Sequence, residues 1–201
     1  MKEILYDWGG LNVWLFHAIN DVRGAYLDGF MQLGTALGDH TLFPLYIGLT
    51  VMIALTSLAK GQNYSRHQAL SWMSVIAVFC IAYLLDGLLI GALKPLLDFP
   101  RPPLALPQGS IHIVGAAEYH HSLPSGHSSF AMLCTASLWP AMSHRLRRLG
   151  IFFVLWVGIS RVSLGAHFPA DVMAGFVSSL AVVLFVYSCI RLYLRMMARQ
   201  A

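Results

Sequence analysis

Residues 69–94 read ALSWMSVIAVFCIAYLLDGLLIGALK, with a single acid, Asp86, before the lysine. About 20 mostly apolar residues suffice for a helix to cross a bilayer, so this stretch reads as a membrane span that ends where Lys94 meets water. Four more runs of similar character surround it. Upstream, Thr41 to Ala59 is uncharged and stops at Lys60. Downstream, Pro124 to Met142 carries only His127, Leu149 to about Ala166 is interrupted by Arg161, and Ala170 to about Leu194 is uncharged from Val172 to Ile190. Backbone exposed to lipid must satisfy its own hydrogen bonds, so these runs are expected as helices. Pro124 and Pro169 fall in first turns, where proline is tolerated. The fold class that follows is all-α: a polytopic membrane bundle of five transmembrane helices.

The composition of the 201 residues agrees: 57% are hydrophobic and 11% charged, against roughly 45–50% and 25% in soluble domains. Disorder, collagen-like repeats and a disulfide scaffold are excluded on the same ground. Cys80, Cys134 and Cys189 each sit within an apolar run and read as packing residues. The formal charge is +4. Its basic residues lie at the ends of apolar runs rather than on one watery face, so nucleic acid is rejected as a partner and the bilayer is expected instead.

Residues 1–40 read differently from residues 41–201, which form the expected catalytic unit. Asp21, Arg23 and Asp28 would each cost about 2.5–3.5 kcal/mol at mid-bilayer. Trp8, Leu11, Leu15 and Ile19 recur at helical spacing with Asp7, Asn12 and Asn20 turned away, as in an amphipathic helix lying in the interface. Only Lys2 precedes an apolar region that Asp7 interrupts, so the segment is expected to be retained rather than cleaved. Alternation of the spans puts Lys60, Arg66, Arg145, Arg147, Arg148, Arg191, Arg195 and Arg199 on one side with no acid. That side is expected to be cytoplasmic. Lys94, Arg101 and Arg161 then face outward, against the usual bias.

Three segments far apart in sequence meet on that outer side: Lys94 to Pro102, Pro124-Ser125-Gly126-His127, and Ser160-Arg161 followed by His167 and Asp171. Three cations in one layer repel one another unless an anion joins them. A phosphate suits, gripped by the Arg forks and the Lys point charge, with the N–H groups of Ser125 and Gly126 at a helix start adding a smaller contribution. Two His and an Asp in the same layer go beyond binding. Phosphoryl transfer needs a nucleophile, a proton for the leaving oxygen and cations on the equatorial oxygens. His167 fits the nucleophile, Asp171 can reach back one turn to hold its tautomer, and His127 fits the acid. One His must start neutral and the other charged, which predicts a bell-shaped pH dependence. No metal and no cofactor are called for.

Taken together, Lys94-x6-Arg101-Pro102, Pro124-Ser125-Gly126-His127 and Ser160-Arg161-x5-His167-x3-Asp171 resemble the three signature motifs of the type 2 phosphatidic acid phosphatase (PAP2) superfamily. The resemblance implies a helical membrane core and metal-independent removal of phosphate from lipid phosphates or diphosphates. It also implies a nucleophile at His167, an acid at His127, and phosphate contacts from Lys94, Arg101, Ser125, Gly126 and Arg161. Many bacterial members have six spans, one more than is counted here. For an outward-facing site in a bacterial inner membrane the resemblance implies undecaprenyl diphosphate as the first substrate, with phosphatidylglycerol phosphate, phosphatidic acid and lipid A phosphates as alternatives. A lipid phosphotransferase using the same site, and a non-catalytic lipid-phosphate binder or transporter, are the other readings. A vanadate-dependent haloperoxidase shares the motif type but is expected to be soluble.

Singly, each motif residue has a plainer reading: Lys94 and Arg161 as snorkelling cations, Asp171 as a first-turn acid, His127 as a cap. His112, Glu118, His120 and His121 match no zinc spacing and read as a solvated loop near the phosphate. Gly87-x3-Gly91 reads as a helix-packing site. Asp86 stands eight residues before Lys94, about 12 Å along a helix, too far to touch it. It is left to pair with another cation or to stay protonated. Arg191, Arg195 and Arg199 recur every four residues and read as an anchor to anionic headgroups.

Overall fold

Apolar side chains on every face decide which parts of this chain stand in lipid. In the computed structural model, which describes residues 6–60 and 66–200, α3 (Phe43–Lys60), α4 (Arg66–Leu97) and α7 (Pro169–Gln200) are long and apolar enough to cross a membrane. Leu45, Leu49, Met52, Ile53 and Leu55 of α3 and Val177, Leu184 and Phe185 of α7 all point outward, a surface that acyl chains solvate and water would not. Three hydroxyls on these helices are satisfied locally: Thr50, Ser74 and Ser188 each donate to the carbonyl four residues back, at 2.8 Å. Lys2, the cation weighed above in expecting the N-terminal segment to be retained, lies outside the described residues, as do residues 61–65.

Two further helices fill the space between the long ones. α5 (Gly126–Leu138) has 13 residues, about 20 Å of helix, less than a bilayer's hydrocarbon thickness. α6 (His144–Ser163) has 20 residues but carries Arg145, Arg147, Arg148 and Arg161. The described residues are thus all helix and connection, without strands, and three of the five expected spans qualify on length and apolarity. α5 is the hub. Its Phe130, Leu133 and Cys134 pack with Val78, Phe79 and Ala82 of α4 and with Val183 and Val186 of α7. α7 approaches the first turn of α5 so closely that a Cβ on Gly175 would lie 2.5 Å from the Ser125 carbonyl.

Gly87 and Gly91 do not serve this purpose: nothing lies within 4 Å of either Cβ position, and both residues face outward. The close approaches fall on other helices. Asp86 accepts a hydrogen bond from the Ser129 hydroxyl, so its partner is a neutral group on α5 rather than a cation.

The N-terminal segment forms α1 (Leu11–Asn20) and α2 (Ala25–Leu37), which lie against α6 and α7. Here the expected face is reversed. Asn12, Phe16 and Asn20 form the buried stripe of α1, while Leu11 and Trp14 are exposed. The reason is the orphaned backbone at neighbouring helix ends. Asn12 Oδ1 accepts from the Ala170 N–H at 2.9 Å, capping α7. Asn20 donates to the carbonyls of Ser163 and His112 and accepts from the His112 N–H, each at 2.9 Å. Asn20→Ala is therefore expected to cost about 2–3 kcal/mol, because it leaves buried backbone groups unpaired. Thermal unfolding in detergent measures this, and an unchanged melting temperature would refute the capping role.

Candidate active site

The turn from α6 to α7 is wound tightly enough to aim a histidine inward. The Arg161 carbonyl accepts from the N–H groups of Ala166 (3.0 Å) and His167 (3.2 Å). Gly165 has φ +76°, and a Cβ there would lie 2.3 Å from the His112 carbonyl, so only glycine serves. Pro169 then opens α7 with Asp171 in its first turn. Asp171 Oδ2 accepts from the Phe168 N–H at 2.8 Å, the reciprocal half of a capping box. The same oxygen lies 3.3 Å from His167 Nδ1 and accepts from the Ser122 hydroxyl. Oδ1 accepts from the Tyr6 hydroxyl at 2.8 Å.

This network assigns the imidazole proton to Nδ1 and leaves a lone pair on Nε2. Burial drives the His167 pKa down to about 4; Asp171 opposes the shift, and the charges of Arg101 and Arg161 add to it. The ring is therefore neutral at physiological pH. Burial and the Asp171 carboxylate hold the Tyr6 phenol well above its ordinary range, so it stays a donor.

Prolines shape the second segment. Pro95 lies in the last turn of α4, and Pro102 and Pro103 open a helical turn, Pro102–Ala105, with Arg101 extended before it. Backbone bonds from Arg101 N–H to the Tyr119 carbonyl and from Ser122 N–H to the Phe99 carbonyl, both 2.9 Å, tie this stretch to the 106–123 loop. The buried guanidinium of Arg101 donates Nε to the His120 carbonyl (2.9 Å) and Nη1 to the Ala166 carbonyl (3.4 Å). Nη1 also stands 3.3 Å from His167 Nε2. Nη2 meets the Glu118 carboxylate at 2.6 Å. A carboxylate is an oxyanion of the kind a phosphate presents, so this fork already grips the right chemistry.

The third segment is the start of α5. Ser125 caps it in extended conformation, but its own N–H donates to the Asp171 carbonyl at 3.0 Å. The next free N–H groups are those of Gly126, His127 and Ser128, and nothing lies within 4 Å of a Cβ position at Gly126. His127 Nε2 lies 3.9 Å from Asp39 Oδ2. Arg161, 8% exposed, donates Nη1 to the Thr35 hydroxyl at 2.8 Å. Lys94 is half-buried at the end of α4, within electrostatic reach of Arg101, Glu118, Arg161 and Asp171. A cavity of about 340 Å³ in this layer is lined by Gln32, Thr35, Glu118, His127, Arg161 and Ala166.

The expected residues thus gather at one end of the bundle. Direct contacts join His167 to Arg101 and Asp171, and Ser125 to Asp171 through the backbone. Arg161 and His127 meet α2 and the turn after it instead. The reading of the sequence passed over Tyr6, Ser122, Thr35 and Asp39. Asp39 alone carried a visible signal, as the acid immediately before an apolar run on the same side. In the 106–123 loop, His112 and His120 bind through their backbones, while His120 and His121 face Asp98 at 3.7 and 3.1 Å.

A model of the PAP2 superfamily matches residues 75–195. Lipid A 1-phosphatase of Rhizobium johnstonii is 33% identical over 118 residues, 55% of this chain and 46% of that protein. The protein of the same name from Rhizobium etli is 34% identical over 119 residues, 55% and 48% of the two chains. The chain spans about half the length of these curated relatives. Aquifex aeolicus LpxE superposes with a TM-score of 0.71 at 24% identity, covering 89% of this chain and 95% of that one. The PAP2 type phosphatidylglycerolphosphate phosphatase of Bacillus subtilis gives 0.66 at 22%, covering 91% and 86%.

Proposed function

This chain belongs to the PAP2 superfamily, and we propose that it is a membrane lipid phosphatase in which His167 takes the phosphoryl group from a lipid phosphate. The observation that carries this reading is the 3.3 Å approach of His167 Nε2 to Arg101 Nη1, with Nδ1 held by Asp171. A phosphate on the Arg101 fork lies against the lone pair of Nε2. Lys94, Arg161 and the N–H groups at the start of α5 take the remaining charge. Nε2 forms the N–P bond as the P–O bond to the lipid breaks, and His127 gives its proton to the departing oxygen. Water then attacks phosphorus, His127 takes the water proton, and the N–P bond breaks to release phosphate and neutral His167. Glu118 must yield the Arg101 fork to the substrate.

In this reading α5 and α6 complete a five-span catalytic unit over residues 41–201, with residues 1–40 docked at its outer end. Orientation of that end to the periplasm rests on the basic residues of the opposite side. Two relatives named for lipid A favour a lipid A phosphate over undecaprenyl diphosphate, the first substrate that the family resemblance implied for an outward-facing site. Phosphate release in detergent tests the choice, run across lipid A, polyprenyl diphosphate, phosphatidylglycerol phosphate and phosphatidic acid, with and without chelator. Release is expected to be chelator-insensitive and to need no acceptor lipid. Loss with chelator would overturn the metal-free scheme, and dependence on an acceptor would favour a phosphotransferase.

The depressed pKa of His167 has a signed consequence. The nucleophile must be neutral, so the acid limb of kcat/KM should fall near pH 4, well below that of an ordinary imidazole at about 6.5. A limb at 6 or above would refute this assignment.

A further inference from the structure

We propose that α2 and the turn after it belong to the catalytic apparatus: Thr35 holds Arg161 in its phosphate-facing pose, and Asp39 is the carboxylate that favours the charged form of His127. Both residues lie outside the region matched by the family model. The inference rests on the reading of Arg161 as a phosphate ligand and His127 as the proton donor.

Arg161 is held by a neutral acceptor. Thr35 Oγ1 accepts from Arg161 Nη1 at 2.8 Å and from the Ser160 hydroxyl at 3.3 Å. A carboxylate at position 35 would cancel the guanidinium charge; a hydroxyl fixes the geometry and leaves the charge to an incoming anion. Arg161 Nε is buried without a hydrogen-bond partner, a donor still available on the same group.

Asp39 is set one helical turn further on. Its Oδ1 accepts from the Thr41 N–H (2.8 Å) and hydroxyl (2.7 Å), capping the turn His40–Leu42. Its neighbours are fixed by packing: a Cβ on Gly38 would lie 2.4 Å from Val157, and the Tyr46 hydroxyl donates to the Leu37 carbonyl at 2.9 Å. Oδ2 is thereby held 3.9 Å from His127 Nε2. That separation is too long for a hydrogen bond yet short for a charge interaction. Asp39 favours the imidazolium without claiming its proton, which stays available to the leaving oxygen. The other charged or titratable groups facing His127 are His40 from the same turn, Arg161 from α6 and His167 from the turn after it. Burial opposes a positive charge on His127 most strongly and each of these adds to that when charged, so Asp39 is the one group facing the ring that favours it.

The test compares Asp39→Asn and Thr35→Val in the full chain, with phosphate release followed across pH. Asn preserves a cap for Thr41, so the melting temperature should hold. Asp39→Asn is expected to move the alkaline limb of kcat down by about one pH unit, lowering kcat about tenfold above that limb while KM stays put. In a His127→Gln background it should add nothing. Thr35→Val should raise KM about tenfold with the limb unmoved, and Thr35→Ser should restore it. An unmoved limb in Asp39→Asn, an equal loss in the His127→Gln background, or an unchanged KM in Thr35→Val would overturn the proposal. NMR titration of the His127 ring needs no turnover. It should show the same downward shift in Asp39→Asn, and no shift would refute the role of Asp39 even if the phosphatase reading itself failed. Absence of phosphate release by the unaltered chain from every lipid phosphate would instead count against that reading.

Discussion

His167→Ala is expected to abolish phosphate release, a fall of about 10⁴-fold or more, because it removes the group proposed to form the bond to phosphorus. The variant should still fold. Asp171 keeps three donors in Tyr6, Ser122 and the Phe168 N–H, and Arg101 keeps Glu118, His120 and Ala166. An unchanged melting temperature with lost turnover is the expected pair of results. Retained turnover would move the nucleophile elsewhere and leave a non-catalytic lipid-phosphate binder as the better description.

Arg101→Lys is the second large effect, at about 10²–10³-fold in kcat/KM. The substitution keeps the charge and discards the fork. Arg101 uses Nε, Nη1 and Nη2 at once, on the 106–123 loop, on the α6 to α7 turn beside His167, and on an oxyanion. A lysine ammonium cannot hold the loop carbonyls and a phosphate in one plane. Ala would be a poorer probe, since it would also strand two carbonyls and Glu118. Steady-state kinetics of the Lys variant decides the matter: near-normal kcat/KM would mean that charge alone suffices at this position.

Residues that announce themselves by charge inside or beside an apolar run were legible in the sequence. Lys94, Arg101, Arg161, His127, His167 and Asp171 stand where five apolar runs meet water, and few other charges compete for attention there. The all-helical architecture followed from the same runs. Neutral partners were not legible. Tyr6, Ser122 and Thr35 act through hydroxyls that are common in any chain, and their partners lie 165, 49 and 126 residues away. No spacing rule connects such pairs before the fold exists.

The N-terminal helix failed for a different reason. Hydrophobic periodicity assumes that amides seek water, but Asn12 and Asn20 seek the unpaired backbone of α7, α6 and the loop. In a chain surrounded by lipid, the protein interior offers more hydrogen-bonding partners than the outside does. Asp86 likewise meets a serine hydroxyl and not the cation that one of its two readings expected.

The most direct test of the central claim is rapid trapping of the enzyme in alkaline denaturant after mixing with a lipid carrying ³²P in its terminal phosphate, followed by peptide mapping at alkaline pH. Label that survives alkali, is lost in acid and maps to His167 is the predicted result, with none in His167→Ala. Label on another residue, or turnover with no covalent label at any quench time, would contradict a pocket in which Arg101 and its partners present phosphorus to that imidazole.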